Sequence, residues 1–316
     1  MKVTVVTPTF NRAQYIVATL QSIFNQDYQN IEVIVVDDGS TDGTAEIVNS
    51  LKDPRLRFLK TKANTGGPAI PMSMGAENAT GELVAFLDHD DIALPHWLST
   101  LADTMKADVS TGMAWGQHAV CDKDGVQRTV AFRNPFKGKN EKLPTMLGWT
   151  PGTSGLMVRK SVFDEIGFFD EKAGYIADLD FTVRFALQSK LAARSIAKTV
   201  INYIVHSQNL SRRSVAVLAE NLEYFIEKNR GNFVNYPIEK GIYHYKAAWM
   251  YNQIPNKAKA LSHISHAILC DNKNFKYKLW KILLVCGLLN LVKPYSAIKT
   301  FTGDRWRAIR HFLKAS

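Results

Sequence analysis

The first 90 residues alternate between short apolar runs and amphipathic stretches. The runs "KVTVVTPTF", "IEVIVVDDGS" and "GELVAFLDHDD" each contain consecutive apolar residues, which is typical of strands buried on both faces. "AQYIVATLQSIFNQ" between the first two has apolar residues near helical spacing, and residues 69–79 form a further predicted helix. Strands that alternate with helices predict an α/β fold with a mostly parallel central sheet flanked by helices.

The rest of the chain divides into a mixed middle part and a helical last third. Residues 113–132 predict a hairpin that turns at 123–125, and residues 153–171 predict a strand followed by a short helix. A helix that opens with Asp178 and Asp180 is followed by a last strand ending at His206. From about Ser214 onward the apolar spacing is helical. We therefore expect an α/β domain over residues 1–210 and a helical region over 211–316.

The charge distribution separates the same two regions. The chain has 316 residues and a net charge of +10, of which residues 205–316 contribute 18 Lys and Arg against 6 Asp and Glu, or +12. A basic segment indicates a polyanionic partner, either a nucleic acid or an anionic membrane surface. An RNP-type aromatic motif and zinc-finger spacing are both missing from the sequence, so we expect no nucleic-acid partner.

The apolar stretch Leu279–Val292 leaves two alternatives open. It is 14 residues long and contains Lys281 and Asn290, whereas a membrane span needs about 20 apolar residues. The stretch is therefore either a buried helix or a helix that lies in a membrane interface.

The cysteines and the N-terminus indicate the compartment. Cys121, Cys270 and Cys286 are far apart and odd in number, which predicts neither a disulfide framework nor a metal-binding pair. The apolar run at the N-terminus is too short for a signal peptide. We expect a cytoplasmic protein, located at the inner face of the cell membrane.

Two acidic clusters follow predicted strands. Asp37 and Asp38 end the second predicted strand, and Asp88, Asp90 and Asp91 follow the apolar run of "GELVAFLDHDD". Ligands of open α/β sheets bind at the carboxyl ends of strands, so the two clusters predict one site. Carboxylate oxygens suit Mg²⁺ or Mn²⁺, and Asp88 and Asp90 could reach one ion. Taken alone, the second cluster is more simply explained as an acidic turn that caps the next helix.

An ordered set of motifs favours a metal-binding and nucleotide-binding site over a simple acidic turn. The stretches are "VTPTFN", "VVDDGSTDGT", "NTGGP", "ATGELVAFLDHDD" and "YIADLDFTVR". In this order they resemble the inverting family 2 glycosyltransferases over roughly residues 1–210. The resemblance implies the GT-A nucleotide-diphospho-sugar transferase fold, with a C-terminal helical region. It also implies a nucleotide-sugar donor, most simply a UDP-sugar.

The resemblance assigns roles at the donor site. Pro8, Thr9 and Phe10 would lie against the nucleotide base, and Asp38 would recognise the edge of that base. Asp88 would lie near the ribose and the metal ion. Asp90 would bind Mn²⁺ or Mg²⁺ directly, and His206 matches a histidine that completes the metal site in some relatives.

Neighbouring polar residues have simpler explanations. Asp37 fits a turn, and Asp91 fits a brace for its own loop. His89 is the variable middle position of the motif and the least expected metal ligand in it.

The resemblance also assigns the chemistry. Asp178 matches the catalytic base, although Ala177 stands where the family usually has Glu. Asp180 fits a helix N-terminus, with Arg184 one turn away as its ion-pair partner. Trp149 and Thr153, in "WTPGTSG", are the candidate acceptor-binding residues.

One departure concerns the positive charge near the donor. Met72 and Ser73 stand where many relatives have an Arg-Asn pair. We therefore expect no cation from that segment, which leaves the contacts to the donor sugar and phosphates undefined. The loop 132–143 is expected to shape the donor pocket.

The implied function is transfer of a sugar to a hydroxyl of a glycan or lipid-linked acceptor in cell-surface polysaccharide synthesis. A catalytically degenerate domain that binds a protein or a membrane through its basic helical tail is the alternative. A dinucleotide dehydrogenase would need GxGxxG after the first strand, and "TPTFNR" differs from it. A sugar nucleotidyltransferase would need a Gly-rich first loop containing Arg, which is also missing.

Overall fold

The computed structural model describes residues 1–122, 127–131, 151–206, 215–254 and 256–287, with the backbone alone for 127–131. The chain separates into two compact units, and the division falls between residues 206 and 207. That position lies close to the predicted boundary at 210. The predicted turn at 123–125, the loop 132–143 and Trp149 lie outside the described residues.

The first unit contains the strands and the helices that cover them. Its strands are β1 (Val3–Thr9), β2 (Ile31–Asp37), β3 (Leu56–Lys60), β4 (Leu83–Phe86), β5 (Ile92–Ala93), β6 (Thr111–Asp122), β7 (Gln127–Ala131), β8 (Leu156–Arg159) and β9 (Ala192–Val205). Its helices are α1 (Ile16–Phe24), α2 (Thr44–Ser50), α3 (Ala69–Glu77), α4 (Trp97–Ala107), α5 (Ser161–Ile166) and α6 (Ala177–Gln188), the last preceded by a 3₁₀ turn (Glu171–Ile176).

The described strands form one mixed sheet in the order β3-β2-β1-β4-β8-β6-β9-β5, with β7 paired to β6. β1 to β4 are parallel to their neighbours within this group, as the sequence predicts. β8 runs antiparallel to both β4 and β6, and β6 forms the predicted hairpin with β7. The parallel half therefore has all its carboxyl ends at one edge.

Both faces of the parallel half are covered. Leu20 of α1 and Trp97 of α4 pack in one core cluster with Val5 and Val33. A group of stacked and edge-to-face phenylalanines, Phe86, Phe163, Phe169 and Phe181, forms a second apolar cluster. Burial on both sides explains why β1, β2 and β4 are apolar at almost every position.

The second unit is helical. It contains α7 (Val215–Lys228), a 3₁₀ turn (Asn232–Asn235), α8 (Pro237–Gln253), α9 (Lys257–Cys270) and α10 (Phe275–Val285). Phe225, Phe233 and Tyr243 meet edge to face in its core. Among the described residues, helices long and apolar enough to cross a bilayer are not found.

A buried polar chain links three helices of this unit, and we call it the histidine chain. Glu223 Oε1 lies 2.9 Å from His263 Nε2, and His263 Nδ1 lies 3.0 Å from His244 Nδ1. Because the carboxylate only accepts, His263 donates from Nε2 and its Nδ1 accepts from the Nδ1–H of neutral His244. Lys259 pairs with the other oxygen of Glu223 at 2.7 Å.

Candidate active site at the carboxyl edge of the sheet

The ends of β1, β2 and β4 meet at one edge, so the two predicted acidic clusters belong to one region. The backbone N–H of Asp38 donates to the carbonyl of Thr9 at 2.8 Å, which joins the ends of β2 and β1. The N–H of Leu87 donates to the carbonyl of Val6 at 3.1 Å, which joins β4 to β1. The chain then leaves the sheet at Asp88.

Asp90 lies at the centre of a group of basic side chains. Its Oδ2 is 3.0 Å from His206 Nε2, 3.6 Å from Arg12 Nε and 3.7 Å from His89 Nε2. Burial opposes ionisation of this carboxyl, but His89, His206 and Arg12 outweigh that effect and hold the pKa of Asp90 below its ordinary value. Asp90 is therefore a carboxylate at neutral pH.

Each histidine of this group is oriented by a second contact. His89 Nδ1 lies 2.7 Å from the carbonyl of Pro8, which can only accept, so Nδ1 carries the proton. The ring of His206 stacks on Tyr15 with centroids 4.4 Å apart. The backbone contact of His89 agrees with its interpretation as a structural residue, while His206 lies where the sequence places a metal ligand.

Asp88 differs from Asp90 in its surroundings. Burial, the charge of Asp90 and the charge of Asp178 raise the pKa of Asp88 to about 7. Its Oδ1 lies 3.5 Å from the hydroxyl of Thr153, a long hydrogen bond. Asp88 thus faces both the acidic turn and the candidate base Asp178.

Asp91 braces the acidic turn, as expected. The residue is fully buried, and its Oδ1 accepts from the backbone N–H of Ile204 in β9 at 3.1 Å. Burial together with the charges of Asp90 and Asp88 raises the pKa of Asp91 well above its ordinary value. Its carboxyl fixes the turn to β9, beside the end that carries His206.

The two aspartates of α6 have separate roles. Asp180 is 1% exposed and accepts from Arg184 Nε at 2.7 Å, which is the expected ion pair. Asp178 is partly exposed, and its Oδ1 accepts from the backbone N–H of Leu179 at 2.8 Å. Of these two carboxylates, Asp178 is the more exposed.

Asp38 holds the loop that follows β3. Its carboxylate accepts from the Thr61 hydroxyl at 3.0 Å and from both the amide and the hydroxyl of Thr65 at 3.0 Å. Gly39 next to it has φ +80°, and a Cβ there would lie 2.9 Å from the backbone nitrogen of Asn64. The structure therefore adds a loop-fixing role to the predicted base-reading role of Asp38.

The other predicted nucleotide-binding residues lie at the end of β1. Pro8 and Thr9 belong to the strand, and Phe10 follows it, partly exposed. Asp37, next in β2, is fully buried and accepts from the N–H of Ser40 at 3.1 Å, as a turn residue does.

Arg12 is the functional candidate that the sequence reasoning missed. Its side chain is 1% exposed, and its Nη1 donates to the carbonyl of Asn11 at 2.8 Å while Nε faces Asp90. Met72 is buried in the core, and the Ser73 hydroxyl bonds to the backbone of Phe169, so neither supplies a cation. A basic residue just after β1, opposite an acidic strand end, was the signal available in the sequence.

The donor set suits a divalent cation only in part. Among the described residues, three or more His, Cys, Asp or Glu side chains do not converge in a way that could hold a metal ion. Asp88 and Asp90 nevertheless offer hard oxygen atoms, and burial, followed by the charges of Asp90 and Asp178, raises the pKa of Asp88. Mg²⁺ is commonly held by one or two carboxylates together with substrate phosphates, so the residues fit an ion that arrives with a nucleotide.

Comparison with known sequences gives one family. The family described as "Glycosyl transferase family 2" matches residues 4–167. An uncharacterised glycosyltransferase of Haemophilus influenzae is 33% identical over 154 residues, which cover 46% of this chain and 61% of the relative. The GalNAc(5)-diNAcBac-PP-undecaprenol beta-1,3-glucosyltransferase of Campylobacter jejuni is 40% identical over 102 residues, or 32% of this chain and 33% of the relative.

Solved structures share the fold. S. aureus TarS in complex with UDP-GlcNAc superposes with a TM-score of 0.63 at 21% identity, covering 85% of this chain and 81% of that one. The mannosyltransferase PcManGT of Pyrobaculum calidifontis, in complex with GDP-Man and Mn²⁺, gives a TM-score of 0.57 at 22% identity and covers 94% of this chain and 87% of that one. These similarities confirm the predicted GT-A-like fold with a helical C-terminal region.

Proposed function

Because this chain belongs to glycosyltransferase family 2, we propose that its first unit is an inverting enzyme. It transfers a sugar from a nucleotide-diphosphate donor, a UDP-sugar, to a hydroxyl of a glycan or lipid-linked acceptor in cell-surface polysaccharide synthesis. The lipid-linked acceptor is supported by the C. jejuni relative, which is named as a glucosyltransferase acting on an undecaprenol-linked saccharide. The UDP donor is supported by the complex of TarS with UDP-GlcNAc.

One observation carries the proposal: Asp88 lies close enough to both Asp90 and Asp178 for the charge of each to raise its pKa. Asp88 and Asp178 are 90 positions apart in the sequence, yet the charge of Asp178 helps to raise the pKa of Asp88. Two carboxylates that face a nucleotide and a third that faces an acceptor are what a sugar transfer with inversion requires. Carboxyl groups with strongly shifted pKa values are concentrated at functional sites.

Asp178 is the proposed general base. An acceptor hydroxyl is a weak nucleophile until its proton is removed, and a carboxylate within hydrogen-bond reach can take that proton during attack. Attack from the side of Asp178, opposite the leaving diphosphate, inverts the anomeric carbon. Thr153, whose hydroxyl lies 3.5 Å from Asp88, would help to orient the acceptor together with Trp149.

Asp88, Asp90 and His206 would hold Mn²⁺ or Mg²⁺ together with the diphosphate of the donor. When bound, the ion neutralises the negative charge that develops on the leaving diphosphate. His89 and His206, with a smaller contribution from Arg12, keep the Asp90 carboxylate charged. Pro8, Thr9, Phe10 and Asp38 would bind the nucleotide.

The proposed location is the cytoplasmic face of the cell membrane, where lipid-linked acceptors are accessible. The net positive charge of residues 205–316 supports this location, because it would attract this region to anionic lipids.

A donor screen tests the proposal. The full chain is incubated with UDP-, GDP- and dTDP-sugars, with Mn²⁺, with Mg²⁺ or with a chelator, and release of the nucleoside diphosphate is measured. We expect release from a UDP-sugar that requires a divalent ion. Asp178→Asn should reduce the rate about 10²–10⁴-fold while donor binding persists.

The matched control is Asp164→Asn, an exposed aspartate of α5, which should leave the rate unchanged. Failure of every donor to react or bind would contradict the proposal. That result would favour the alternative of a degenerate domain that acts through its basic helical tail.

A further inference from the structure

The last described helix, α10, presents an apolar surface to solvent. Phe275, Leu279 and Ile282 are 71%, 43% and 59% exposed. At 100° per residue they fall within about 60° of one another around the helix axis. We call these three residues the α10 face. Large apolar side chains that are exposed together on one face mark interaction sites.

The opposite side of α10 fixes its orientation. Tyr277 and Leu284 are buried, at 5% and 4% exposure. Tyr277 also stacks on Tyr245 of α8, with ring centroids 5.1 Å apart. Because this inner side is packed, the α10 face is held outward.

The charged side chains of α10 itself are all positive. Lys276 and Lys278 are exposed and lie on either side of Phe275, at about 100° and about 60° around the axis. Asp and Glu are missing from the sequence of α10, and residues 272–316 contain ten Lys and Arg against one Asp. Protein interfaces are depleted in Lys, whereas helices that lie on anionic membranes have apolar residues on one face and Lys beside them.

We propose that the α10 face binds the surface of a bilayer that contains anionic lipids, with Lys276 and Lys278 at the headgroups. Phe275, Leu279 and Ile282 enter the boundary between headgroups and acyl chains. This inference specifies the membrane contact within the proposed function. Helix α10 spans Phe275–Val285, is buried on one side and exposed on the other, and so favours the membrane-interface alternative for the described part of the stretch 279–292.

Flotation with vesicles tests the inference on the full chain. Vesicles of phosphatidylcholine alone are compared with vesicles that contain 30% phosphatidylglycerol, at about 0.1 M salt. Phe275→Ser with Ile282→Ser should lower the partition coefficient about 10-fold or more. Lys276→Gln with Lys278→Gln should lower it about 25-fold on anionic vesicles, since each Lys contributes a factor of about five.

Matched controls use exposed residues elsewhere. Val109→Ser with Val234→Ser removes two valines that are 78% and 75% exposed, and Lys52→Gln with Lys62→Gln removes two exposed lysines of the first unit. Neither control should change the partition coefficient. Circular dichroism should show that all variants are folded.

Two results would overturn the inference: no binding of the unaltered chain to anionic vesicles, or binding that the α10 variants leave unchanged. A dimer that the α10 serines dissociate, without vesicle binding, would also overturn it in favour of a second copy. Asp178→Asn should float like the unaltered chain while it fails in sugar transfer. Failure of the membrane contact and failure of the proposed catalysis are therefore distinguishable.

Discussion

The acidic edge of the first unit and the histidine chain of the second are both buried polar groups, but they are built in opposite ways. Asp88, Asp90 and Asp91 place carboxyl groups of one sign side by side, and two of the three have raised pKa values. In the histidine chain, by contrast, neighbouring groups are complementary: Glu223 accepts from His263, His263 is paired with His244, and the charge of Lys259 balances that of Glu223. The first arrangement costs folding energy, whereas the second stabilises its helices.

This difference indicates that the acidic edge serves ligand binding, whereas the histidine chain serves the stability of the second unit. Repelling carboxylates persist where a ligand relieves the repulsion, so the acidic edge is the part of the molecule that a cation and a nucleotide would complete. The histidine chain needs no ligand to balance its charges. Its role is to join α7, α8 and α9. Four changes test whether the two regions differ in this way.

The largest effect is expected at Asp90. Asp90→Asn keeps the shape of the side chain but removes the charge that Arg12 and His206 face. We expect metal-dependent donor turnover to fall on the order of 10²–10³-fold, because a metal site supplies several kcal/mol of charge stabilisation. Steady-state kinetics measures this, with the exposed Asp103→Asn as control. Undiminished metal-dependent turnover would remove Asp90 from the proposed site.

The next effect is a loss of stability in acid within the second unit. Burial, with contributions from His263, His266 and Lys240, lowers the pKa of His244 to about 3, below its unfolded value near 6.5. The unfolded chain therefore binds more protons between pH 6.5 and 3, and stability falls as the pH falls through that window. Between pH 7 and 5 the loss from His244 is about 2 kcal/mol.

Hydrogen exchange of peptides from α8 and α9 measures this loss. His263, whose pKa burial also lowers despite Glu223, adds to it in the same direction. His244→Gln should flatten the dependence between pH 7 and 5. Equal protection of α8 at both pH values in the unaltered chain would show that the histidine chain is not held neutral by its surroundings.

A smaller effect is expected at Glu223. Glu223→Gln weakens the ion pair with Lys259 and the hydrogen bond from His263. Both Glu223 and Lys259 are partly solvated, so the expected destabilisation is about 1 kcal/mol. Thermal unfolding measures it, with Glu227→Gln on the exposed side of α7 as control. A rate of sugar transfer that fell with the stability would contradict the separation of the two regions.

The smallest effect has the opposite sign. Asp88→Asn removes one like charge from the acidic edge, so without metal or nucleotide the fold should gain about 1 kcal/mol. Donor turnover should fall in the same variant. Unfolding in the presence of a chelator measures the gain, and a loss of stability would mean that Asp88 is held by favourable contacts.

The sequence predicted the acidic edge well because strand ends follow from local patterns. Apolar runs located β1, β2 and β4, and parallel topology then brought Asp38 and Asp88 to one edge. The ion pair of Asp180 with Arg184 followed from helical spacing. The mixed order of β8, β6 and β9 could not be predicted, since antiparallel neighbours are set by long-range packing.

Contacts between segments that are far apart in the sequence could not be predicted from it. Arg12 and Asp90 are 78 positions apart in the sequence, and the local sequence around either residue does not predict their contact. The histidine chain joins residues 19 and 40 positions apart on three helices. Helical spacing gives the face of each helix but not which faces meet.

The central claim is that the acidic edge binds a nucleotide diphosphate together with a divalent cation. Calorimetric titration of the full chain with UDP, in the presence of Mn²⁺ and then of a chelator, tests it most directly. We predict saturable heat with Mn²⁺ and a large loss of affinity without it. Absence of binding in both conditions, or equal affinity with and without the ion, would contradict the claim.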